Sequence, residues 1–180
     1  MLQVSRGDFV IQPIHARPAV PYVLSIDPNH KGGDGHSFGV IQCWALLADG
    51  RFLLFDQWRG RTHRSLFAAH IRRMKSEYRP VVILIEDNGP ALDLQEQIET
   101  SRCPVILVKP NGDKLTRLRR NLDLFRNRQV VLRAGLPFMD ELFGEFEGFP
   151  YGVNDDQVDT ATQFFDWVDR TTFRLLRLRQ

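Results

Sequence analysis

The chain has 180 residues and 43% hydrophobic content, enough for one domain with a sizeable core. No run of about 18 apolar residues occurs, which argues against a helical membrane span. The N-terminus MLQVSRGDFVIQPIHARP lacks a signal-peptide apolar core, so a cytoplasmic location is expected. Two cysteines, Cys43 and Cys103, exclude a disulfide framework; set in apolar stretches, they read as buried thiols, and nothing suggests a structural zinc.

The first twenty or so residues, with Pro13 and Pro18, read as an irregular arm; the expected division is an arm over 1–20, one domain over 21–170 and a basic tail over 171–180. Tyr22–Asp27 (YVLSID) predicts a strand that runs into a Gly-rich turn, PNHKGGDGHS. Phe38–Leu47 and Arg51–Trp58 predict two more strands, joined by the hairpin signal Ala48-Asp49-Gly50. Helical spacing follows over His63–Tyr78, with Leu66, Phe67, His70, Ile71 and Met74 on one stripe. Val81–Glu86 (VVILIE) is apolar on both alternating faces, as expected of a strand at the centre of a sheet. A short helix over Asp93–Thr100, a buried strand over Cys103–Lys109 and a basic helix over Asp113–Arg128 come next. Gln129–Arg133 reads as a short strand, and Phe138–Phe146 and Asp155–Val168 as the remaining helices. TTFRLLRLRQ is a basic amphipathic stretch.

The order β-β-β-α-β-α-β-α-(β)-α-α predicts an α/β protein. Its sheet would be mixed, an antiparallel three-strand meander plus parallel strands, with helices on both faces. This is the order of the ribonuclease H-like fold. A purely parallel doubly wound sheet would need a helix between the first and second strands.

Net charge is only +2, but it is unevenly spread. Lys109, Lys114, Arg117, Arg119, Arg120, Arg126, Arg128 and Arg133 crowd one segment, opposed only by Asp113 and Asp123. From Leu136 to Asp169 there are acidic residues and no Lys or Arg. Such a pair of segments suits a polyanion held beside divalent cations, or two solvated faces.

The acidic residues fall at instructive places. Asp27 ends the first strand and Glu86 ends the central one; Asp155, Asp156 and Asp159 open the last predicted helix. Carboxylates at strand ends face the crevice in which open α/β sheets place their sites. Asp156 and Asp159 are three apart and share a helix face. Each has a bland explanation: Asp27-Pro28 opens turns, Glu86-Asp87-Asn88-Gly89 reads as a turn, and Asp155 or Asp156 serves as an N-cap. Taken together, clustered carboxylates repel unless cations neutralise them, and hard oxygen donors suit Mg²⁺ or Mn²⁺.

Four stretches resemble the nuclease domain of the large terminase subunit of tailed bacteriophages: SIDPNHKGGDGHSFGVIQ, VVILIEDNGPA, VKPNGDKLTRLRR and EFEGFPYGVNDDQVDTATQ. The likeness runs from about Phe9 to Trp167. Its most specific part is Phe149-Pro150 followed by Asp155-Asp156-Gln157-Val158-Asp159-Thr160-Ala161. Thr160 stands where the family usually has Ala, and Asn154 where it often has His.

The resemblance implies a metal-dependent endonuclease that cuts concatemeric double-stranded DNA during genome packaging, using two Mg²⁺ or Mn²⁺ ions to activate water. It implies Asp27, Glu86 and Asp156 as the metal-binding catalytic set, with Asp159 a further ligand or a residue behind the ligands. Asp34 matches a secondary acidic position, while Asp155 reads as the cap. Lys114 and Arg117 match a Lys-x-x-Arg pattern that contacts phosphate or orders the carboxylates; Arg120 is a further candidate. Expected partners are DNA, an ATPase domain, the small terminase subunit and the portal, with no membrane. The chain has no P-loop, and GGDG at Gly32–Gly35 lacks the Gly-Lys-Ser/Thr that one requires, so ATP-driven translocation is not attributed to it. Alternatives are a Holliday-junction resolvase-like nuclease and a non-catalytic DNA- or motor-interaction module.

Overall fold

The computed structural model describes residues 3–28, 38–88, 91–98 and 103–177, with side chains as far as Thr171. In chain order it contains β1 (Val10–Gln12), β2 (Tyr22–Asp27), β3 (Gly39–Leu46), β4 (Phe52–Gly60), α1 (Arg64–Tyr78), β5 (Val82–Glu86) and α2 (Ala91–Ile98). There follow β6 (Val105–Val108), α3 (Lys114–Arg126), β7 (Val130–Arg133), α4 (Met139–Gly148) and α5 (Asp156–Arg177).

The strands form one seven-stranded sheet in the order β1-β7-β4-β3-β2-β5-β6. β3 is antiparallel to β2 and β4, and every other pairing is parallel. The mixed sheet is therefore as expected, and predicted boundaries shared with observed elements fall within two residues, apart from the end of α5.

Two differences matter. The N-terminal segment is not wholly irregular. A 3₁₀ turn at Arg6–Asp8 leads into β1, which pairs with β7, and Phe9 sits edge-on to Phe125, Phe143 and Phe146 at 5.2–5.5 Å. In addition, α5 continues past Val168 to Arg177, absorbing most of the stretch read as a tail. No Gly or Pro interrupts Asp156–Arg177, so nothing in the backbone chemistry stops the helix earlier.

The sheet separates two apolar cores. On one face α1 and α2 bring Phe67, Ile71, Met74, Leu94 and Ile98 against Leu24, Ile26, Ile41, Ile83 and Ile85. On the other, α3, α4 and α5 bring Leu118, Leu122, Phe146, Phe164 and Phe165 against Val23, Trp44, Leu54, Val82 and Leu84. β2, β3 and β5 are buried on both faces, as their near-continuous apolar sequences require. The β3–β4 hairpin turns at Gly50, whose φ of 82° is easy only for glycine.

β4 contains a bulge. Cys43 pairs with Asp56 but Trp44 pairs with Leu54, leaving Phe55 as an extra residue. Leu53, Phe55 and Asp56 consequently lie on the α1 side, where Tyr78 Oη donates to Asp56 Oδ2 at 2.8 Å. Beyond the bulge, Gln57 and Arg59 turn to the α4–α5 side. Among the described residues, no helix is long and apolar enough to cross a membrane.

Candidate active site

β2 and β5 are parallel neighbours, with Ile26 opposite Ile85, so Asp27 and Glu86 occupy the next rung at the carboxyl edge of the strands. Both continue the face that carries Val23, Val82 and Leu84, which is the face covered by α5. On β2 that column reads Val23, Ser25, Asp27. Ser25 Oγ donates to Thr160 O of α5 at 2.8 Å and accepts from Gln163 Nε2 at 3.0 Å. On β3, Gln42 Nε2 donates to Gln157 O at 3.2 Å. These bonds fix α5 so that its first turn overhangs the strand ends.

Asp156 opens that turn, and its Oδ2 accepts from Phe38 N, just before β3, at 3.2 Å. β3 pairs with β2 through Val40 and Asp27, so Asp156 arrives beside the end of β2. Asp27 is 6% exposed and Asp156 5%. Asp155 takes the N-cap position, its carbonyl accepting from Asp159 N at 2.9 Å.

Asp156 and Asp159 diverge more than shared spacing suggests. Three residues of α-helix fall about 60° short of a full turn. Asp156 is engaged by the strand side, whereas Asp159 is engaged by α3. Arg117 Nη2 donates to Asp159 Oδ1 at 3.0 Å, and Lys114 Nζ lies 2.7 Å from both Asp159 Oδ2 and Asp155 Oδ1. Arg117 Nη1 also reaches Glu86 Oε2 at 3.8 Å, so one guanidinium links β5 to α5. Asp113 caps α3, accepting from Thr116 N at 2.7 Å, and thereby fixes where Lys114 and Arg117 fall.

The electrostatics follow from burial. Burial raises the Asp159 pKa to about 6 against the opposing pull of Arg117 and Lys114. For Lys114, burial disfavours the charge, but its bonds to Asp155 and Asp159 prevail and raise its pKa. Glu145 of α4 is likewise raised by burial, although Gln157 and Arg59 oppose this.

The expected site residues thus divide. Asp27, Glu86, Asp156, Asp159, Asp155, Lys114 and Arg117 come to one edge of the sheet. Arg120 lies one turn further along α3, bonded to Asn111 O and 3.6 Å from Asp166. Asp34 lies outside the described residues, with His30 and His36.

Two contributors were not expected. Arg59 Nη2 pairs with Glu145 Oε1 at 3.0 Å. Glu145 Oε2 in turn accepts from Gln157 N at 2.7 Å, in the first turn of α5. The only sequence signal was an acid, Glu145, set among Leu142, Phe143 and Phe146 on the inward side of α4.

The donor set is all carboxylate oxygen, the chemistry that Mg²⁺ and Mn²⁺ prefer. The buried Arg117 Nε, without a hydrogen-bond partner among the described residues, adds an unsatisfied donor to the same edge. Among the described residues, no group of three or more His, Cys, Asp or Glu is gathered closely enough to hold an ion.

Strand order, pairing sense and helix placement define a ribonuclease H-like fold. It is the form of that fold found in the nuclease domains of large terminases. The nuclease domain of the large terminase of thermophilic phage G20c with bound magnesium superposes with a TM-score of 0.62 at 15% identity, over 89% of this chain and 95% of that one. The P22 large terminase nuclease domain gives a TM-score of 0.64 at 11% identity, over 91% and 89%. The human cytomegalovirus terminase nuclease domain gives 0.58 at 11% identity, over 82% of this chain and 84% of that one. No protein-family model matches the chain, and no curated protein sequence matches it.

Proposed function

We propose that this chain is a divalent-metal-dependent endonuclease that hydrolyses DNA phosphodiesters, in the context of viral genome packaging. The observation that carries this reading is that the strand register sets Asp27 and Glu86 on neighbouring strand ends while Phe38 N holds Asp156 beside the end of β2. An ion would have to draw together three carboxylates already at one edge of the sheet. Fold similarity to terminase nuclease domains, one with bound magnesium, supports it.

In this reading Asp27, Glu86 and Asp156 hold two Mg²⁺ or Mn²⁺ ions, with Asp34 a secondary ligand. Bound there, the ions would activate water and stabilise charge on the phosphate and the leaving 3′ oxygen. The chain's own residues orient and shield. Asp159, with Arg117 and Lys114 on separate oxygens, acts from behind the ligands by holding both cations at the edge. In this reading the half-exposed Lys114 contacts phosphate oxygens once DNA arrives, whereas the buried Arg117 orders the carboxylates of Asp159 and Glu86; Arg120 extends the same basic surface. Contacts of this kind position a backbone without reading bases, so little sequence preference is expected. An ATPase domain, the small terminase subunit and the portal are the partners that packaging would supply.

The deciding experiment is plasmid cleavage with Mn²⁺, and with a chelator, for the wild type and Asp27→Ala. Metal-dependent nicking that vanishes in the variant is expected; full activity in the variant sinks the assignment. Strong preference for a four-way junction over linear duplex would turn the reading to a resolvase-like enzyme. A non-catalytic DNA-binding module has one observation in its favour, the neutralisation of Asp155 and Asp159 by Lys114 and Arg117. DNA affinity without Mn²⁺ binding at millimolar concentration would establish that module instead.

A further inference from the structure

We infer that Arg59 and Glu145 form a positioning pair that fixes Asp156 and the first turn of α5; the inference rests on Asp156 being a site carboxylate.

The pair exists because β4 is bulged. Under regular alternation Arg59 would share a face with Phe55 and point toward α1. The extra residue inverts the alternation, so Trp58 stacks on His70 of α1 and Arg59 turns to the α5 face. There it shares a cross-strand row with Val40 and Asp27. Bulges commonly serve to re-aim a side chain in this way.

Arg59 then makes contacts on two sides. Its Nε and Nη2 lie 3.1 and 3.0 Å from Glu145 Oε1. Its guanidinium lies over the Phe38 ring, with Cζ 3.5 Å from the centroid. Both lines of contact return to α5. Phe38 donates its backbone N–H to Asp156 Oδ2. Glu145 accepts from Gln157 N through Oε2 and from Gln157 Nε2, at 3.0 Å, through Oε1. The circuit closes on consecutive residues, gripping the Asp156 side chain from the strand and the Gln157 backbone from α4.

The chemistry suits a positioning role. A planar guanidinium offers directed donors together with a stacking face, which an ammonium cannot do. A carboxylate satisfies an N–H that the start of a helix leaves without a partner. With side-chain exposures of 8% and 5%, Arg59 and Glu145 have little room for alternative arrangements.

The test compares the full chain carrying Arg59→Met, Arg59→Lys, Phe38→Leu or Glu145→Gln with the wild type. Tyr78→Phe, which removes the Tyr78–Asp56 bond on the opposite face, controls for general loosening. In metal-free protein, amide hydrogen exchange at Phe38 and Gln157 should speed up several-fold more in the Arg59 variants than in Tyr78→Phe. Mn²⁺ affinity should fall by about tenfold or more, the usual consequence of losing an outer-shell partner. On plasmid DNA, kcat should fall while KM holds. If Arg59→Met does not fold, Arg59→Lys and Phe38→Leu carry the comparison, since both keep the charge and lose the planar stack. Exchange and Mn²⁺ affinity within twofold of wild type in the folded variants overturn the inference. A wild type that neither binds Mn²⁺ nor cuts DNA instead overturns the nuclease reading, and leaves the exchange comparison to decide the circuit.

Discussion

Arg117 donates to Asp159 across the α3–α5 interface at 3.0 Å, and each side chain is only 6% exposed. Leaving a buried charge wholly unpaired costs about 3–5 kcal/mol, but Lys114 stays 2.7 Å from Asp159 Oδ2, which brings the expected cost of losing Arg117 down to about 1–3 kcal/mol. Arg117→Met should therefore destabilise by about that much in urea unfolding. The double variant Arg117→Met/Asp159→Leu should recover more than half of the loss. A double variant no more stable than Arg117→Met would mean that the pair is not the source of the cost.

Asp155 and Asp156 are adjacent but should behave differently. The Asp155 carboxylate is partly exposed and meets the half-exposed Lys114, so Asp155→Asn should cost less than about 1 kcal/mol. Cleavage should stay within a few-fold of wild type. Asp156→Asn should retain the fold, yet lose about a hundredfold or more in kcat, the scale seen when a group acting at the reacting centre is removed. Parallel melting curves and single-turnover nicking assays check both.

The aromatic packing beneath α5 should dominate stability. Phe164 stacks on Trp44 with ring centroids 4.8 Å apart and planes 5° from parallel, and both are fully buried. Phe164→Ala should destabilise by about 3–5 kcal/mol. Denaturant titration measures this, and a cost under about 1 kcal/mol would show that the site collapses around the missing ring.

His70 gives a pH dependence away from the carboxylates. Burial, assisted by Arg73, lowers its pKa below 6.5 in the folded protein. On acidification the unfolded chain takes up the proton first. The contribution of His70 to stability is thus present above about pH 6.5 and declines as pH falls toward the folded value. Between about pH 7.5 and 5, wild type should lose melting temperature relative to His70→Gln. A gap that widens in favour of the wild type would show that the charged imidazolium is accommodated.

Sequence made some of this architecture plain and hid the rest, for physical reasons. β2 and β5 were legible because strands buried on both faces are apolar throughout, and an acid ending such a run stands out. The β3–β4 hairpin announced itself through Asp49-Gly50. β1 did not, since three residues between a turn and Pro13 acquire a strand's hydrogen bonds only from β7, far along the chain. The β4 bulge leaves no local mark, because FLLFDQWRG reads equally well with regular alternation. The Arg59–Glu145 pair joins residues 86 apart and depends on that bulge, so it was invisible. Asp159 was found by spacing, but its engagement by α3 required the packing of two helices.

The short β1 has a practical consequence. It covers the outer side of β7, and Val4 and Phe9 just before it plug the core. A shortened chain beginning at Tyr22 would look complete by sequence, yet it would leave β7 with an unpaired edge and a cavity beside Phe125. Exposed edges of this kind template strand addition between molecules. Such a fragment should precipitate or self-associate during purification even though every carboxylate of the site is present.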